Sequence, residues 1–224
     1  MFQVEPERLL NHSRCCPHEP NFRAGELIFS PEEDSGVLYY LHFGRVKLYH
    51  LDLCGRCLTL DLVGQKQWFG KIGWKRQRPG ILYAKAMSEV CICSVNRHTF
   101  LQALQEQPQQ ALALLEKLDQ RERAMVRRLA EMFYAHVPRR IAFGLLLASE
   151  RWGQVSSEGT IVRITHSELA DLIGATRETT TICLQPFVHR GVIETKNGAI
   201  CIKDKKRLLA IGGQDITLET AMVN

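Results

Sequence analysis

One segment, about three quarters of the way along the chain, restricts the fold more than any other. It opens with a capping box, in which the Thr165 hydroxyl accepts from the Glu168 amide and the Glu168 carboxylate reaches back. A short apolar helix then ends at Gly174. Ala170 lies four residues before that glycine and Thr180 six residues after it, and such small or β-branched residues let two helices cross closely. The spacing predicts a helix-turn-helix, with an unrelated helical hairpin as the alternative.

The second helix of this motif would begin near Thr176 and enter the major groove of DNA. Arg177 can donate two hydrogen bonds to guanine, Glu178 can accept from the amino group of cytosine, and Ile182 can touch a thymine methyl group. Two short strands around an Asn-Gly turn follow, and they would form a wing with Lys196 near the phosphates. The residues predicted to contact DNA are Thr165, His166, Ser167, Thr176, Arg177, Glu178, Thr179, Thr181, Ile182 and Lys196.

A proline lies within the second helix. Pro186 would clash with the carbonyl four residues before it, which costs roughly 3 kcal/mol in a straight helix. We therefore expect a kink or an early end near Gln185, which would shift the preferred DNA site.

The apolar period becomes helical at about Gln107. Five apolar residues recur at steps of three, seven, four and three, with Glu122 at the skipped seam position. A helix over 108–135 with so narrow a seam favours a parallel dimer, and a helix packed on its own domain is the alternative. Pro138 would end this helix and start another over 139–152. The predicted dimer interface consists of Leu115, Leu118, Met125, Leu129 and Met132.

The first half of the chain has the period of β-strands over residues 21–100. Val37, Tyr39 and Leu41 alternate with neighbours that we expect to be less buried, and glycines punctuate the run. Many short strands with regular turn signals predict a sandwich or barrel. The predicted domains are a β-domain over 1–107, a dimerisation helix over 108–136 and a DNA-binding domain over 137–224.

Composition is compatible with this plan. The chain has 224 residues, 45% of them hydrophobic, and a net charge of +5 that permits binding to nucleic acid. No apolar run is long enough for a signal peptide or for a membrane span, so we expect a cytoplasmic protein without a membrane partner. Disulfide staples are not the expected use of its eight cysteines in a reducing compartment.

Together, these motifs resemble the CRP/FNR superfamily of bacterial transcription regulators. The quoted motifs are RAGELIF at 23–29, FGRVKLY at 43–49, LVGQKQWFG at 62–70 and ITHSELADLIGATRETT at 164–180. The resemblance implies an α+β chain with an N-terminal β-roll like a cyclic-nucleotide-binding domain, a long dimerisation helix and a C-terminal winged helix-turn-helix. It also implies a homodimeric activator that binds a pseudo-palindromic site in double-stranded DNA and recruits RNA polymerase, with the loop from Gly153 to Gly159 at the position where family activators touch the polymerase.

The nucleotide site of cyclic-AMP-binding members differs here. Those members carry a glutamate for the ribose and an Arg-Ser pair for the cyclic phosphate. Lys71 stands at the glutamate position and Ile81-Leu82 replace the pair. Because the phosphate loses a bidentate partner, we expect no cyclic AMP in the usual pose. Arg76 and Arg78 could bind another anion, and a solvated basic loop is the alternative.

The cysteines suggest a different sensor. Cys54 and Cys57 form a CxxC in a predicted hairpin turn, where two sulfurs can converge on one centre. By the resemblance, Cys93 aligns roughly with a cluster ligand of oxygen-sensing FNR members, whose N-terminal cysteine cluster is reduced here to Cys15 and Cys16. One interpretation is an iron–sulfur or metal site that uses Cys15, Cys16, Cys54, Cys57 and Cys93. The others are a thiol–disulfide switch, formed by the CxxC or by a more distant pair, and unconnected thiols, with Cys183 and Cys201 as structural residues.

Other function classes fit the sequence less well. A cupin-like enzyme needs a cluster of histidines and acids on barrel strands, and only His42 and His50 are available, without an accompanying acid. An adaptor that has lost DNA binding is opposed by the Arg177-Glu178 pair. The sequence thus predicts a regulator that is not an enzyme. A regulator with a small-molecule effector, or with none, and structural cysteines is the alternative.

Overall fold

The structure, a computed structural model, describes residues 21–32, 36–70, 81–106, 108–196 and 198–212. Cys15, Cys16, Lys71, Arg76 and Arg78 therefore lie outside the described residues. By its contacts the described chain divides into two compact units. One contains residues 125–212 together with residues 57–59, and the other contains the rest. No helix in the described ranges is long and apolar enough to span a membrane.

The N-terminal unit is built on two antiparallel sheets. Their strand orders are β1-β6-β3-β4 and β5-β2-β7, so every neighbouring pair except β3-β4 joins strands that are not consecutive in the chain. The strands are β1 (Leu27–Phe29), β2 (Val37–Phe43), β3 (Val46–Leu51), β4 (Cys57–Val63), β5 (Gln67–Gly70), β6 (Tyr83–Ala86) and β7 (Cys91–Asn96).

The core of this unit draws apolar side chains from both sheets. Leu41 and Val46 are fully buried, and they belong to the same cluster as Phe69. The alternation predicted for β2 is wrong at Tyr40, which is buried as well. The reason is that the other face of β2 is also covered: Tyr40 packs in a second cluster with Phe100 of helix α1 (Arg97–Glu106).

A long helix follows, and it breaks where the sequence predicts. Helix α2 (Pro108–Tyr134) is followed by α3 (Val137–Trp152), whose first turn holds the proline at 138. Proline is tolerated there because the first-turn amides have no intrahelical acceptor. His136 is the N-cap residue of α3, with extended backbone angles.

The C-terminal unit is a winged helix-turn-helix. The core side chains of α3, including Ile141 and Leu145, are fully buried, and Gly144 lets α4 come close, since a Cβ there would lie 2.7 Å from Ile173 Cγ2. Its strands form one antiparallel sheet in the order β10-β11-β9-β8. The remaining elements are β8 (Gln154–Ser156), β9 (Gly159–Val162), α4 (His166–Ile173), α5 (Arg177–His189), β10 (Ile193–Lys196), β11 (Ala199–Ile202) and α6 (Lys205–Gly212).

The early end expected for α5 near Gln185 is wrong, because the helix continues to His189 through Pro186. The proline removes one hydrogen bond, but Leu184 and Phe187 on either side of it are buried and keep the last turns packed on the domain. Tertiary packing here overrides a local cost.

Candidate nucleic-acid interface

The first helix of the motif, α4, is capped at its start as the sequence predicts. The Glu168 amide donates to Thr165 Oγ1 at 3.2 Å, and the Thr165 amide donates to Glu168 Oε2 at 2.7 Å. At the other end, Gly174 adopts a left-handed conformation with a φ of 63° and its amide donates to the Ala170 carbonyl. Eight residues of helix are thus fixed at both ends, which holds the turn in one geometry.

The two helices cross at the predicted small residues. Ala170 and Thr180 are both buried, the latter completely. The buried Thr180 hydroxyl donates to the Thr176 carbonyl at 2.8 Å, so its polar atom does not lack a partner. Both spacing conditions of the helix-turn-helix prediction are therefore met in the fold.

The start of the second helix, α5, presents polar side chains to solvent. Arg177, Glu178 and Ile182 are exposed, Ile182 at 69% of its surface. Neither Arg177 nor Glu178 forms an ion pair with another described residue, so both are available for hydrogen bonds to base edges. Thr176 is the N-cap residue and accepts from the Thr179 amide at 3.1 Å.

Two further predicted residues meet across the motif. His166 Nδ1 lies 3.0 Å from Thr181 Oγ1, and this contact joins the start of α4 to α5. Ser167 is exposed beside the α4 N-terminus. Helix N-termini and hydroxyl groups suit contact with phosphates.

The wing has the form that the sequence predicts. Strands β10 and β11 pair antiparallel, with Lys196 opposite Ala199, and Gly198 has a φ of 72° in the turn. The Lys196 side chain is exposed. At the base of the wing, Lys203 Nζ lies 2.8 Å from a Glu194 oxygen; this hydrogen bond raises the pKa of Lys203 and lowers that of Glu194.

The predicted dimer seam lies on α2, and most of it is exposed. The exposed fraction of four of its side chains is 61% for Leu115, 51% for Leu118, 54% for Met125 and 50% for Leu129. The fifth is placed differently: Met132 is half-buried, and its Cε lies 2.7 Å from the position that a Cβ on Gly174 would take. Four further exposed apolar residues on the same helix were not predicted from the sequence, namely Leu112, Val126, Phe133 and Tyr134.

The described cysteines do not form a metal-binding group. In the described part of the chain no three histidine, cysteine or acidic residues are grouped as metal ligands. Cys93 is buried and disulfide-bonded, and its sulfur lies 2.9 Å from Nε2 of His42, whose pKa is lowered by burial. A cluster needs several thiolates around one centre, so the described cysteines do not fit one. Five other described cysteines are not disulfide-bonded: Cys54, Cys57, Cys91, Cys183 and Cys201.

The structural role predicted for Cys183 and Cys201 is only partly reflected in their burial. Both are half-buried, and neither belongs to the fully buried core. Cys54 is exposed in the turn between β3 and β4, where its amide donates to Asp52 Oδ1 at 2.9 Å. The CxxC turn is thus shaped by an aspartate.

The residues that replace the phosphate-binding pair carry no donor in their side chains. Ile81 is exposed and Leu82 is half-buried. The Ile81 carbonyl lies 2.9 Å from His50 Nδ1.

Comparisons with known proteins agree with this geometry. A family model described as a Crp-like helix-turn-helix domain matches residues 139–211, and one described as a cyclic nucleotide-binding domain matches residues 19–107. A "CRP-like cAMP-activated global transcriptional regulator" of Mycobacterium tuberculosis is 31% identical over 84% of this chain and 85% of that protein. The chain belongs to the CRP/FNR superfamily. This confirms the family and the fold class predicted from the sequence, and the family consists of transcription regulators, not enzymes.

Two further comparisons agree with the family and with the fold. The "Transcriptional regulator SdrP" of Thermus thermophilus is 31% identical over 84% of this chain and 91% of that protein. A solved structure described as the c-di-GMP responsive global regulator CLP of Xanthomonas campestris has a TM-score of 0.74 and covers 88% of this chain and 97% of that one. At 22% identity it supports the fold alone.

Proposed function

We propose that this chain is a homodimeric regulator of transcription that reads a specific DNA sequence with helix α5. The observation that carries the proposal is the exposed Arg177-Glu178 pair in the first turn of α5. The capped ends of α4 and the N-cap of α5 hold that turn in place, and a wing with an exposed Lys196 accompanies it. In this arrangement Arg177 and Glu178 read base edges, while Lys196 and the hydroxyl groups at the helix starts hold phosphates.

The exposed seam of α2 supports the homodimer. Apolar side chains that recur along one long helix and remain half exposed or more are suited to burial against a second copy of the same helix. A dimer with two-fold symmetry places two α5 helices on one face of DNA, so its site is pseudo-palindromic.

The test of this function is selection of binding sites from a pool of random double-stranded DNA by the purified full-length chain. The expected result is one enriched sequence with two inverted half-sites whose centres are about 10 base pairs apart. Enrichment of no sequence, or of single half-sites only, would contradict it.

We infer that the signal is not cyclic AMP bound in the usual pose. The apolar Ile81 and Leu82 side chains support this, because neither can donate to a phosphate. Calorimetric titration with cyclic AMP is expected to show no binding at millimolar concentration. Its control is titration of a cyclic-AMP-activated relative under the same conditions.

Thiol redox chemistry is the second candidate for the signal, and the disulfide state of Cys93 favours it. Two thiols would lose two electrons and two protons, and a peroxide would take them up and become water. Non-reducing peptide mapping would identify the partner thiol. A Cys93→Ser variant should abolish any difference in DNA affinity between oxidised and reduced protein, and an unchanged difference would exclude this role. An iron–sulfur cluster stays a weaker proposal, because the described thiols do not converge.

The hairpin between β8 and β9 is our candidate contact for RNA polymerase in the cytoplasm. Val155 is 92% exposed there, an unusual position for a valine unless a protein covers it. Val155→Asp should reduce activated transcription in a purified system while the affinity for DNA stays unchanged. Equal activation by both proteins would remove this surface from the account.

A further inference from the structure

The last turn of α4 is held by two arginines from other helices. A helix leaves its final carbonyls without intrahelical donors. Here Arg128 Nη2 donates to the Leu172 carbonyl at 2.7 Å, and Arg140 Nη1 donates to the carbonyls of Ile173 at 3.0 Å and Gly174 at 3.2 Å. Three consecutive carbonyls at the turn of the helix-turn-helix thus receive a guanidinium donor. Positive charge at this end of a helix is also favoured by the helix dipole.

Arg128 makes a second contact that Arg140 does not. Its Nη2 also donates to the backbone carbonyl of Thr59 in β4. Arg128 itself belongs to α2, so a single guanidinium joins β4, α2 and α4. This junction lies within one compact unit, because residues 57–59 belong to the same unit as residues 125–212.

Two of the three elements that Arg128 joins, β4 and α2, extend beyond the junction. Strand β4 runs on from Thr59 to Val63, and α2 begins at Pro108 and carries the exposed seam. A displacement of about 1 Å along either element would stretch a 2.7 Å hydrogen bond out of the bonding range. The acceptor of that hydrogen bond is the Leu172 carbonyl in α4, the helix that sets the angle of α5.

The junction also contains two buried polar atoms without a hydrogen-bond partner among the described residues, the hydroxyl of Thr59 and Nε of Arg140. Such groups are costly, and an arrangement that satisfies either of them would recover a hydrogen bond. The junction as described therefore does not use all of its hydrogen-bonding capacity.

We propose that Arg128 is a positioning residue that fixes the helix-turn-helix to the dimerisation helix and to strand β4, so that movement of either element changes DNA affinity. The inference rests on the proposed function. Arg128 acts through α4, because its guanidinium donates to the carbonyl of Leu172 in the last turn of that helix and to the carbonyl of Thr59 in β4.

The experiment compares Arg128→Ala and Arg128→Lys with the wild-type chain. The matched control is Arg123→Ala, which removes an exposed arginine of the same helix that pairs with Asp119 at 2.9 Å. Hydrogen exchange is followed by mass spectrometry in the segments 165–180 and 57–62. DNA affinity and its salt dependence are measured with the selected site.

Arg128→Ala should speed exchange in both segments by about tenfold or more, the effect of losing a hydrogen bond to a charged donor. DNA affinity should fall by a similar factor for every site sequence, with an unchanged salt slope, since Arg128 does not touch phosphate. Lysine keeps the positive charge but lacks the planar guanidinium with its several donors. Hydrogen exchange and DNA affinity of Arg128→Lys should therefore lie between those of Arg128→Ala and wild type. If Arg128→Ala does not fold, Arg128→Lys carries the comparison. Arg123→Ala should match wild type in exchange.

Several results would overturn the proposal. If exchange in Arg128→Ala equals exchange in the control variant in both segments, Arg128 does not fix the helix-turn-helix. If exchange changes in the segment 165–180 alone, the contact with β4 has no part in the positioning. Full recovery with Arg128→Lys would reduce the role to charge, and a shallower salt slope would place Arg128 on phosphate. Exchange needs no DNA, so failure of the wild type to select a site would refute the proposed function while the exchange data still decide the role of Arg128.

Discussion

Replacement of two seam residues by glutamate, Met125→Glu together with Leu129→Glu, should dissociate the proposed dimer. About half of each side chain, 54% and 50%, is exposed in the single chain and free for a partner helix to cover. Full burial of such a side chain contributes about 1.5–3 kcal/mol, so the half that is left contributes about 1 kcal/mol. Two residues in each of two chains give about 4 kcal/mol, which is roughly a thousandfold in the dissociation constant. Four carboxylates facing each other would weaken the dimer further.

Analytical ultracentrifugation of the full-length chain measures this directly. The wild type should sediment as a dimer at micromolar concentration, and the double variant as a monomer with unchanged circular dichroism. Val155→Glu is the matched control, since it places the same charge on a more exposed apolar residue outside α2. A double variant that dimerises as tightly as the control would refute the assignment of the interface to this seam.

Three smaller perturbations test the architecture of the DNA-binding unit. Gly174→Ala should lower the free energy of unfolding by about 1–2 kcal/mol in a urea titration, because alanine is strained at a φ of 63°, and Gly174→Asn should cost less; equal costs would contradict the left-handed turn. Thr165→Ala should cost about 1 kcal/mol in the same assay through loss of the capping box, and no loss would mean that the cap contributes nothing. The stabilisation from the depressed pKa of Glu194 should be complete above its ordinary value of 4.5 and vanish as the pH falls through the lower folded value. The difference in melting temperature between wild type and Glu194→Gln, followed against pH, should therefore disappear only in acid.

The helix-turn-helix could be predicted from sequence because its determinants are local. The capping box, the turn glycine and the two crossing residues lie within sixteen consecutive positions, and each has one physical role. The break between α2 and α3 was predictable for the same reason, since proline acts on its own turn. The positions of the domain boundaries stay a prediction.

Features that depend on distant packing could not be predicted. The alternation in β2 fails at Tyr40 because a helix from later in the chain covers the second face of the strand. The helix α5 survives Pro186 because its neighbours are buried against the domain. Arg128 is one of several arginines along α2, and its acceptors are backbone carbonyls 44 and 69 residues away. Because every residue has a backbone carbonyl, the sequence does not show which carbonyls accept these hydrogen bonds.

The signal is the least predictable property. The relative from Mycobacterium tuberculosis is described as cAMP-activated, but this chain has apolar Ile81 and Leu82 at the expected phosphate site, so family membership alone does not identify the effector. The residues at the expected nucleotide site do not favour cyclic AMP, and they do not indicate which other effector binds. The proposed redox signal rests on Cys93, which is disulfide-bonded, and not on the CxxC, whose two cysteines are not.

The central claim is that Arg177 reads a base and Lys196 holds the backbone, and repeated site selection with the two alanine variants tests it most directly. Arg177→Ala should lose about 1–3 kcal/mol of affinity and relax the preference at one position in each half-site. Lys196→Ala should keep the full preference, bind all sequences more weakly and give a shallower salt slope. An Arg177→Ala variant that selects the same sequence as the wild type, with the same preference at every position, would contradict the account.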